Sequence, residues 1–214
     1  MNETALKKWS RFHAPMGCSV GGVDGRVEAL LRGRVLNIGA KAWGRPEWIP
    51  LDLVSNDPRT ALLADAADLP VRSGVLDGAV LRFVLEHVPS AERVVAETHR
   101  ALRPGGLLFV TVPFVEPYHA DPQDFRRFTP EGLKKLLENF EMLECGTYYG
   151  PASALVEFLR EFTASFFDSV FLKKGVRFLA GWTFFPLKYL DVFLGRKKFS
   201  WMCAYSLYAV AQKR

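Results

Sequence analysis

Short apolar runs alternate with amphipathic stretches along most of this chain. A helical spacing of apolar residues fills 91–102, between the fourth and fifth of the runs. Seven runs predict β-strands, at residues 34–38, 47–52, 60–64, 75–83, 107–112, 141–149 and 202–210. Strands that are apolar throughout and alternate with helices are typical of a parallel sheet covered on both faces. The pattern predicts an α/β fold built on a doubly wound, mostly parallel, seven-stranded Rossmann-like sheet.

The same pattern divides the chain into four segments. Asp24 is the expected N-cap of a short helix at 25–31. Only about eight residues separate the first two strands, whereas a crossover helix needs a dozen or more, so the first helix is expected to be shortened or missing. The segments are an N-terminal arm and helix at 1–33, a Rossmann-like core at 34–150, a helical aromatic and basic insertion at 151–200 and a closing strand at 201–214.

Charge is distributed unevenly and sets the last third of the chain apart. The net charge of +5 combines a net −1 over residues 1–150 with a net +6 over residues 151–214, which also hold 15 of the 28 aromatic residues. Large apolar side chains alternate there with Lys and Arg, which favours contact of 151–198 with an anionic membrane surface. The alternatives are packing against the core and a dimer seam. Nucleic-acid binding is not expected, because the basic residues form no polar groove.

Cysteine usage and hydropathy indicate where the protein works. Cys18, Cys145 and Cys203 are odd in number and far apart, which argues against a disulfide framework or a zinc site and fits a reducing compartment. The longest uncharged run of the insertion, at 178–187, has ten residues, whereas a spanning helix needs about 20. We expect a cytoplasmic protein, with peripheral attachment at the inner membrane face as the variant that the insertion suggests.

Three successive strands end in residues suited to ligand binding. Gly39 ends the first strand, Asp52 the second and Asp65 the third. A glycine lets a ligand approach the main chain, and a carboxylate at the second strand end can hold both hydroxyls of a ribose. Because parallel strands present their carboxyl ends at one edge, these residues are expected around one crevice. Each aspartate taken alone fits a cap or a turn equally well.

Four segments in a fixed order carry a family resemblance. Together they resemble class I S-adenosylmethionine-dependent methyltransferases, in particular the type 11 small-molecule subgroup, over about residues 34–140. A further segment at 119–129, His-x-x-Pro-x-Asp-x-x-Arg-Phe-Thr, is similar to members of the family with a compressed first loop. The four segments are Asp-Ala-Ala-Asp-Leu-Pro at 65–70, Leu-Asp-Gly-Ala-Val at 76–80, Leu-Glu-His-Val at 85–88 and Leu-Arg-Pro-Gly-Gly at 102–106.

The resemblance implies S-adenosylmethionine as the cofactor. The residues implied to contact it are Asn37, Gly39, Ala40, Asp52, Asp65, Ala66, Arg82 and Phe83. In this scheme the first three line the methionine part, Asp52 holds the ribose hydroxyls, and Asp65 accepts from the adenine amino group with the Ala66 backbone at a ring nitrogen. Arg82 and Phe83 are implied to flank the sulfonium and the acceptor. Asn37 departs from the family pattern, since an acidic residue is usual there.

The loop after the fifth strand, at 113–129, is the expected acceptor site. His119 is the candidate general base, because imidazole is suited to proton transfer near neutral pH. The alternative is a loop held together by its own Asp–Arg pairs. His87 is a second catalytic candidate, with a structural role for the Glu86–His87 pair as the alternative. No metal is expected, since no second histidine lies at ligand spacing from His119. Candidate substrate-binding residues are Tyr118, Asp121, Asp124, Arg126 and Arg127.

These expectations combine into one functional hypothesis. The resemblance implies a methyltransferase acting on a hydroxyl or acid group of a sugar, as a small molecule or as a lipid-linked glycan precursor. One alternative is a quinone or lipid methyltransferase. The other is a catalytically inactive, membrane-associated scaffold whose compressed first loop no longer binds the cofactor.

Overall fold

The sheet predicted from the apolar pattern is present. The computed structural model describes residues 19–40, 43–54, 60–120 and 122–214. Seven strands form one sheet: β1 (Val35–Ile38), β2 (Ile49–Asp52), β3 (Leu62–Leu63), β4 (Leu76–Arg82), β5 (Leu102–Pro113), β6 (Phe140–Tyr149) and β7 (Ser206–Lys213). Their order in the sheet is β3-β2-β1-β4-β5-β7-β6, with the first five parallel and β7 antiparallel between β5 and β6. The predicted fold class is confirmed.

Both faces of the sheet are buried, because its central strands are apolar on both sides. In β1, Leu36 and Ile38 belong to one hydrophobic core and Val35 to the other. In β5, Leu108 packs in the first core and Phe109 in the second. Successive side chains of a strand point to opposite faces, so continuous apolar runs supply both cores at once.

Helices cover the sheet and form the insertion. Ser90 is the N-cap of the helix at Ala91–Ala101, and its side chain accepts a hydrogen bond from the Arg93 backbone N–H at 3.4 Å. The expected cap at Asp24 is wrong: the first helix begins at Val23, two residues before its predicted start, so Asp24 lies in its first turn and Gly22 is the N-cap. The helices are α1 (Val23–Leu30), α2 (Ala91–Ala101), α3 (Pro130–Leu136), α4 (Pro151–Ala164), α5 (Val170–Phe184) and α6 (Asp191–Leu194), with 3-10 turns at Val20–Gly22, Phe185–Leu190 and Ser200–Cys203.

The connection between β1 and β2 contains no helix in its described residues, 39–40 and 43–48, as its length predicts. Aromatic packing occupies this region instead. Trp48 is buried in the second core, and the Trp43 ring meets it edge-on with centroids 5.6 Å apart. Two indole side chains thus cover part of the sheet face where a longer connection would place a helix.

The closing strand lies further along the chain than its apolar pattern predicts. Met202 and Cys203 belong to a 3-10 turn and are exposed, and β7 spans Ser206–Lys213 instead of 202–210. Pairing fixes this register: Ser206 lies opposite Pro113 on β5 and Tyr149 on β6. The predicted strand began too early because Met202 is apolar although it lies in the turn before the strand.

Two buried polar contacts hold the insertion together. The Asp191 carboxylate accepts from three backbone N–H groups at the start of α4, including that of Ala152 at 2.8 Å, and so caps a helix whose own N-cap residue, Gly150, has no side chain. Lys188 Nζ lies 2.7 Å from Glu157 Oε1, with both side chains almost fully buried. No helix among the described residues is long and apolar enough to cross a membrane.

Candidate cofactor and acceptor site

A cleft opens at the carboxyl ends of the parallel strands. Ile38 of β1 is in register with Leu51 of β2 and Leu81 of β4, so the loops that follow the three strands meet at one edge of the sheet. Six residues singled out from the sequence line this cleft together. They are Gly39, Asp52, Asp65, Ala66, Phe83 and His87.

The two aspartates present similar carboxylates to this cleft. One oxygen of Asp52 accepts from the Leu53 backbone N–H at 2.8 Å, and one oxygen of Asp65 accepts from the Ala67 N–H at 2.8 Å. Among the described residues, the second oxygen of each carboxylate accepts no hydrogen bond. Each side chain is therefore oriented by its own loop while keeping acceptor capacity for a ligand.

Glycine is required at position 39 by both conformation and space. Its φ is +67°, and an added Cβ would stand 2.6 Å from Val84 Cγ2. The Gly39 N–H donates to the Leu51 carbonyl at 2.8 Å, which ties the end of β1 to β2. The chain can thus turn sharply at the floor of the cleft without a side chain filling it.

Phe83 is held in a strained conformation where β4 meets the cleft. It is the one non-glycine residue of the described ranges with a positive φ, 53°. Its N–H donates to the Thr111 carbonyl at 3.1 Å, and its ring stacks on Tyr149 with centroids 6.2 Å apart. Such a conformation costs about 1–2 kcal/mol for an L-residue and persists where the surroundings enforce it, commonly at functional sites.

Three of the residues implied to contact the cofactor lie apart from this group. Asn37 is buried, and its side-chain amide donates to the Trp43 carbonyl at 2.6 Å. Together with Ala40 it lines a second cavity, beside the two indoles. The Arg82 guanidinium lies 4.7 Å from the Trp43 ring centroid, and its Nε donates to the Tyr148 hydroxyl at 3.1 Å.

The two candidate catalytic histidines are brought together. The rings of His87 and His119 meet edge to face, with centroids 5.1 Å apart. His87 Nδ1 lies 2.6 Å from the Gln123 carbonyl, an acceptor, so Nδ1 carries the proton and Nε2 keeps its lone pair. His119 Nδ1 lies 3.0 Å from Glu116 Oε1. Ligand spacing along the sequence showed no sign of this contact, because two loops separated in sequence converge here.

Two buried carboxyl groups adjoin these histidines. Burial raises the pKa of Glu86 to about 8 and that of Glu116 to about 7. Both oxygens of Glu86 and one of Glu116 have no hydrogen-bond partner among the described residues. Burial also lowers the pKa of His119 below its usual value, which favours the neutral ring near pH 7. Sequence reasoning did not assign Glu86 or Glu116 to the site, because neither burial nor the contact with His119 follows from local spacing.

The loop at 113–129 is braced from inside. Asp124 accepts from both terminal nitrogens of Arg127, at 2.5 and 2.7 Å, and from the His119 backbone N–H at 2.8 Å. Hydrogen bonding to Arg127 holds the pKa of Asp124 at about 2. Arg126 donates to Glu92 on α2 at 3.2 Å. Asp124 and Arg127 thus form the internal Asp–Arg bracing considered as the alternative for this loop, whereas Arg126 ties the loop to α2. Asp121 lies outside the described residues.

A polar cavity of about 350 Å³ adjoins this loop. His119 and the exposed Tyr118 line one side of it, and charged residues of the insertion line the other. Among the latter, the Arg177 side chain donates to Glu161, and Arg160 pairs with Glu157 at 2.8 Å. Glu157 is followed by Arg160 and Glu161 after three and four residues, so the three side chains share one face of α4. This spacing could have predicted the charged wall of the cavity from the sequence.

The strand order and the cleft at its carboxyl edge are those of the Rossmann-like α/β fold found in methyltransferases. Residues 40–110 match the family model described as a methyltransferase domain. This match, over about a third of the chain, supports a methyltransferase domain. No curated protein matches the chain by sequence.

Solved structures with similar folds differ in what they do. A Thermotoga maritima methyltransferase, described as a possible histamine N-methyltransferase, aligns with 15% identity over 99% of this chain and 96% of its own, with a TM-score of 0.56. A Mesorhizobium loti S-adenosylmethionine-dependent methyltransferase aligns with 16% identity over 88% and 96%, with a TM-score of 0.53. The [4+2]-cyclase SpnF aligns with 19% identity over 88% and 80%, with a TM-score of 0.54. At such identities the likeness concerns the fold, so the acceptor has to be argued from the site.

Proposed function

We propose that this enzyme methylates a hydroxyl or acid group on the sugar of a lipid-linked acceptor at a membrane surface. The observation that carries the proposal is the insertion, which joins a charged cavity wall to a strongly apolar exterior. Its large side chains are exposed to a degree unusual for a surface without a partner, with Phe171 at 84% and Phe166 at 72%. Exposed apolar surface on this scale marks an interaction site.

The polar cavity suits a sugar acceptor. Charged and hydroxyl-bearing side chains dominate its lining, which favours a ligand with many hydroxyl or acid groups over an apolar one. His87 lines the cofactor cleft and His119 lines the polar cavity, so their contact joins the two spaces. A hydroxyl that accepts a methyl group at this junction has to lose its proton there, next to these two rings.

The exterior of the insertion suits an anionic membrane. Leu155, Phe158 and Phe162 follow one another by three or four residues, so they share one exposed face of α4. Lys173 and Lys174 supply positive charge on α5. Lys188 makes no such contribution, because it is buried against Glu157. Apolar groups in the headgroup boundary and lysines at anionic lipid form the usual arrangement of a protein that lies on a membrane.

Basic side chains continue into the segment before β7. Lys197 Nζ lies 4.2 Å from the Phe193 ring centroid, and Lys198 Nζ lies 5.4 Å from the Phe199 ring centroid. All four side chains are exposed. A lysine held beside an exposed aromatic ring places charge and apolar area at the same depth, which suits the headgroup region of a bilayer.

Vesicle sedimentation tests the membrane contact. Phe171→Ser is expected to weaken binding to phosphatidylserine-containing vesicles by roughly tenfold or more, because burying a Phe side chain is worth about 1.5–3 kcal/mol. Lys174→Glu, as a separate variant, should also weaken vesicle binding, and only where the vesicles are anionic. Leu143→Ser, an equally drastic change at a half-exposed position on β6, is the matched control. Equal binding by all variants would contradict the proposal.

Label transfer tests the acceptor. The protein is incubated with methyl-labelled S-adenosylmethionine and a membrane extract, and the products are separated into glycolipid and soluble fractions. Label is expected in the glycolipid fraction, and mild acid that releases lipid-linked sugars should move it to the aqueous phase. Label confined to soluble small molecules, or retained in the lipid portion after release, would exclude a lipid-linked sugar.

A further inference from the structure

We propose that Glu86, His87 and His119 form a binding site for a divalent transition-metal ion at the junction of the cofactor cleft and the polar cavity. One ligand atom from each of the three side chains lies within 4.8 Å of those of the other two. Two imidazoles and one carboxylate are a donor set that zinc and related ions accept, with further positions left open for a ligand.

The buried side chain of Glu86 is the observation that favours a cation ligand at this position. The Glu86 side chain has no exposed surface, and neither of its oxygens has a hydrogen-bond partner among the described residues. Its Oε1 lies 3.9 Å from His87 Nε2. Two buried oxygens without a hydrogen-bond partner are costly for a protein, and coordination of a cation would give them one.

Both histidines are oriented as metal ligands commonly are. The Gln123 carbonyl accepts from His87 Nδ1 and so directs the lone pair of Nε2 away from it. The Glu116 carboxylate lies 3.0 Å from His119 Nδ1, which leaves the other ring nitrogen of His119 available. A carbonyl or carboxylate behind each coordinating imidazole is the usual outer-shell arrangement that fixes its tautomer.

The distances between the ligand atoms agree with a metal ion, because none exceeds 4.8 Å. A tetrahedral ion with bonds of about 2.1 Å holds its ligand atoms roughly 3.4 Å apart, so each side chain has to move by about 1 Å or less.

An ion in this position would change how the acceptor loses its proton. A metal-bound hydroxyl is more acidic than a free one, and the ion would orient its oxygen toward the cofactor cleft. The ion would then take over the role that a free histidine base otherwise has. This consequence rests on the proposed function, whereas ion binding itself does not.

Cobalt titration tests the site without any acceptor. Co²⁺ is added to tag-free, chelator-treated protein, and the visible d–d absorption is followed. We expect one equivalent to saturate the signal and Zn²⁺ to abolish it. His119→Asn and His87→Asn should each weaken binding by roughly 100-fold, and Glu116→Gln by roughly tenfold as an outer-shell change. His99→Asn, a histidine on α2 that packs against Phe140, is the matched control.

Three outcomes would overturn the site. They are no saturable Co²⁺ signal, a signal retained by both His87→Asn and His119→Asn, and equal loss in the His99→Asn control. Far-UV circular dichroism identifies variants that do not fold, and the two histidine variants change different loops, so one can replace the other. Because methyl transfer is not measured, failure of the metal site leaves the label-transfer result intact, and failure of label transfer leaves the cobalt result intact.

Discussion

Replacing Asp52 by alanine is expected to weaken S-adenosylmethionine binding by roughly 100-fold. One oxygen of this carboxylate is already used by the Leu53 N–H, and the other accepts no hydrogen bond among the described residues. If both ribose hydroxyls donate to this group, two charge-assisted hydrogen bonds disappear, each worth about 1.5–3 kcal/mol. The lower limit gives about 3 kcal/mol, and each 1.4 kcal/mol corresponds to a factor of ten in affinity.

Asp52→Asn separates charge from shape. The amide oxygen can keep the Leu53 bond and the amide nitrogen can donate to a hydroxyl oxygen, so a loss of only about tenfold is expected. Asp65→Ala, which removes one acceptor for the adenine amino group, should cost roughly tenfold to 30-fold. The two aspartates would contact different parts of one ligand, so the double variant should show nearly additive losses.

Isothermal titration calorimetry measures these affinities directly. Asp68→Ala is the control, because Asp68 is exposed, lies three residues beyond Asp65 and does not line the cleft. The reasoning is refuted if a folded Asp52→Ala protein binds within twofold of the parent affinity, since the cleft would then hold no ribose.

Two further predictions concern stability. Asp191→Ala should lower the free energy of unfolding by about 3–5 kcal/mol, because it leaves three buried N–H groups at the start of α4 without an acceptor. Asp191→Asn should lower it by less. Urea unfolding measures both, and a decrease below about 1 kcal/mol for Asp191→Ala would contradict the capping role. Asp77 accepts from Arg103 and from the Arg34 N–H, and its pKa is lowered, chiefly by the Arg103 hydrogen bond. Its stabilisation is therefore present above the unfolded aspartate pKa of about 3.8 and is lost as pH falls through the lower pKa of the folded protein. Asp77→Asn should be less stable at pH 7 by about 1 kcal/mol, and the difference should shrink as the solution is acidified below that unfolded pKa.

The convergence of Gly39, Asp52 and Asp65 could be predicted from the sequence because it depends only on the order and the direction of the strands. Once the strands are known to be parallel, their carboxyl ends share an edge, and the residue that ends each strand has to lie there. The register of β1 with its two neighbours confirms the alignment on which this reasoning depends. The prediction used only the order and direction of strands, which hydrophobic runs encode directly.

The histidine pair could not be predicted in this way. His87 and His119 lie on two loops, and their approach depends on how the segment after β5 folds back over the loop after β4. The burial of Lys188 could not be predicted for the same reason: its neighbours in sequence are exposed, and only the tertiary contact with Glu157 reveals that it is buried. Local periodicity reports which side of an element faces the core, and these contacts arise between elements.

Asn37, the departure from the family pattern in β1, is linked to the short connection that follows this strand. In the shortened connection, the Trp43 carbonyl lies 2.6 Å from the side-chain nitrogen of Asn37. An ionised carboxylate at position 37 would set acceptor against acceptor at that distance in a buried site, whereas an amide donates. The Trp43 indole in turn packs beside the Arg82 guanidinium, which the Tyr148 hydroxyl anchors. The asparagine thus fits the short connection between β1 and β2, so an amide in place of an acidic residue is by itself no sign that the cleft cannot bind a cofactor.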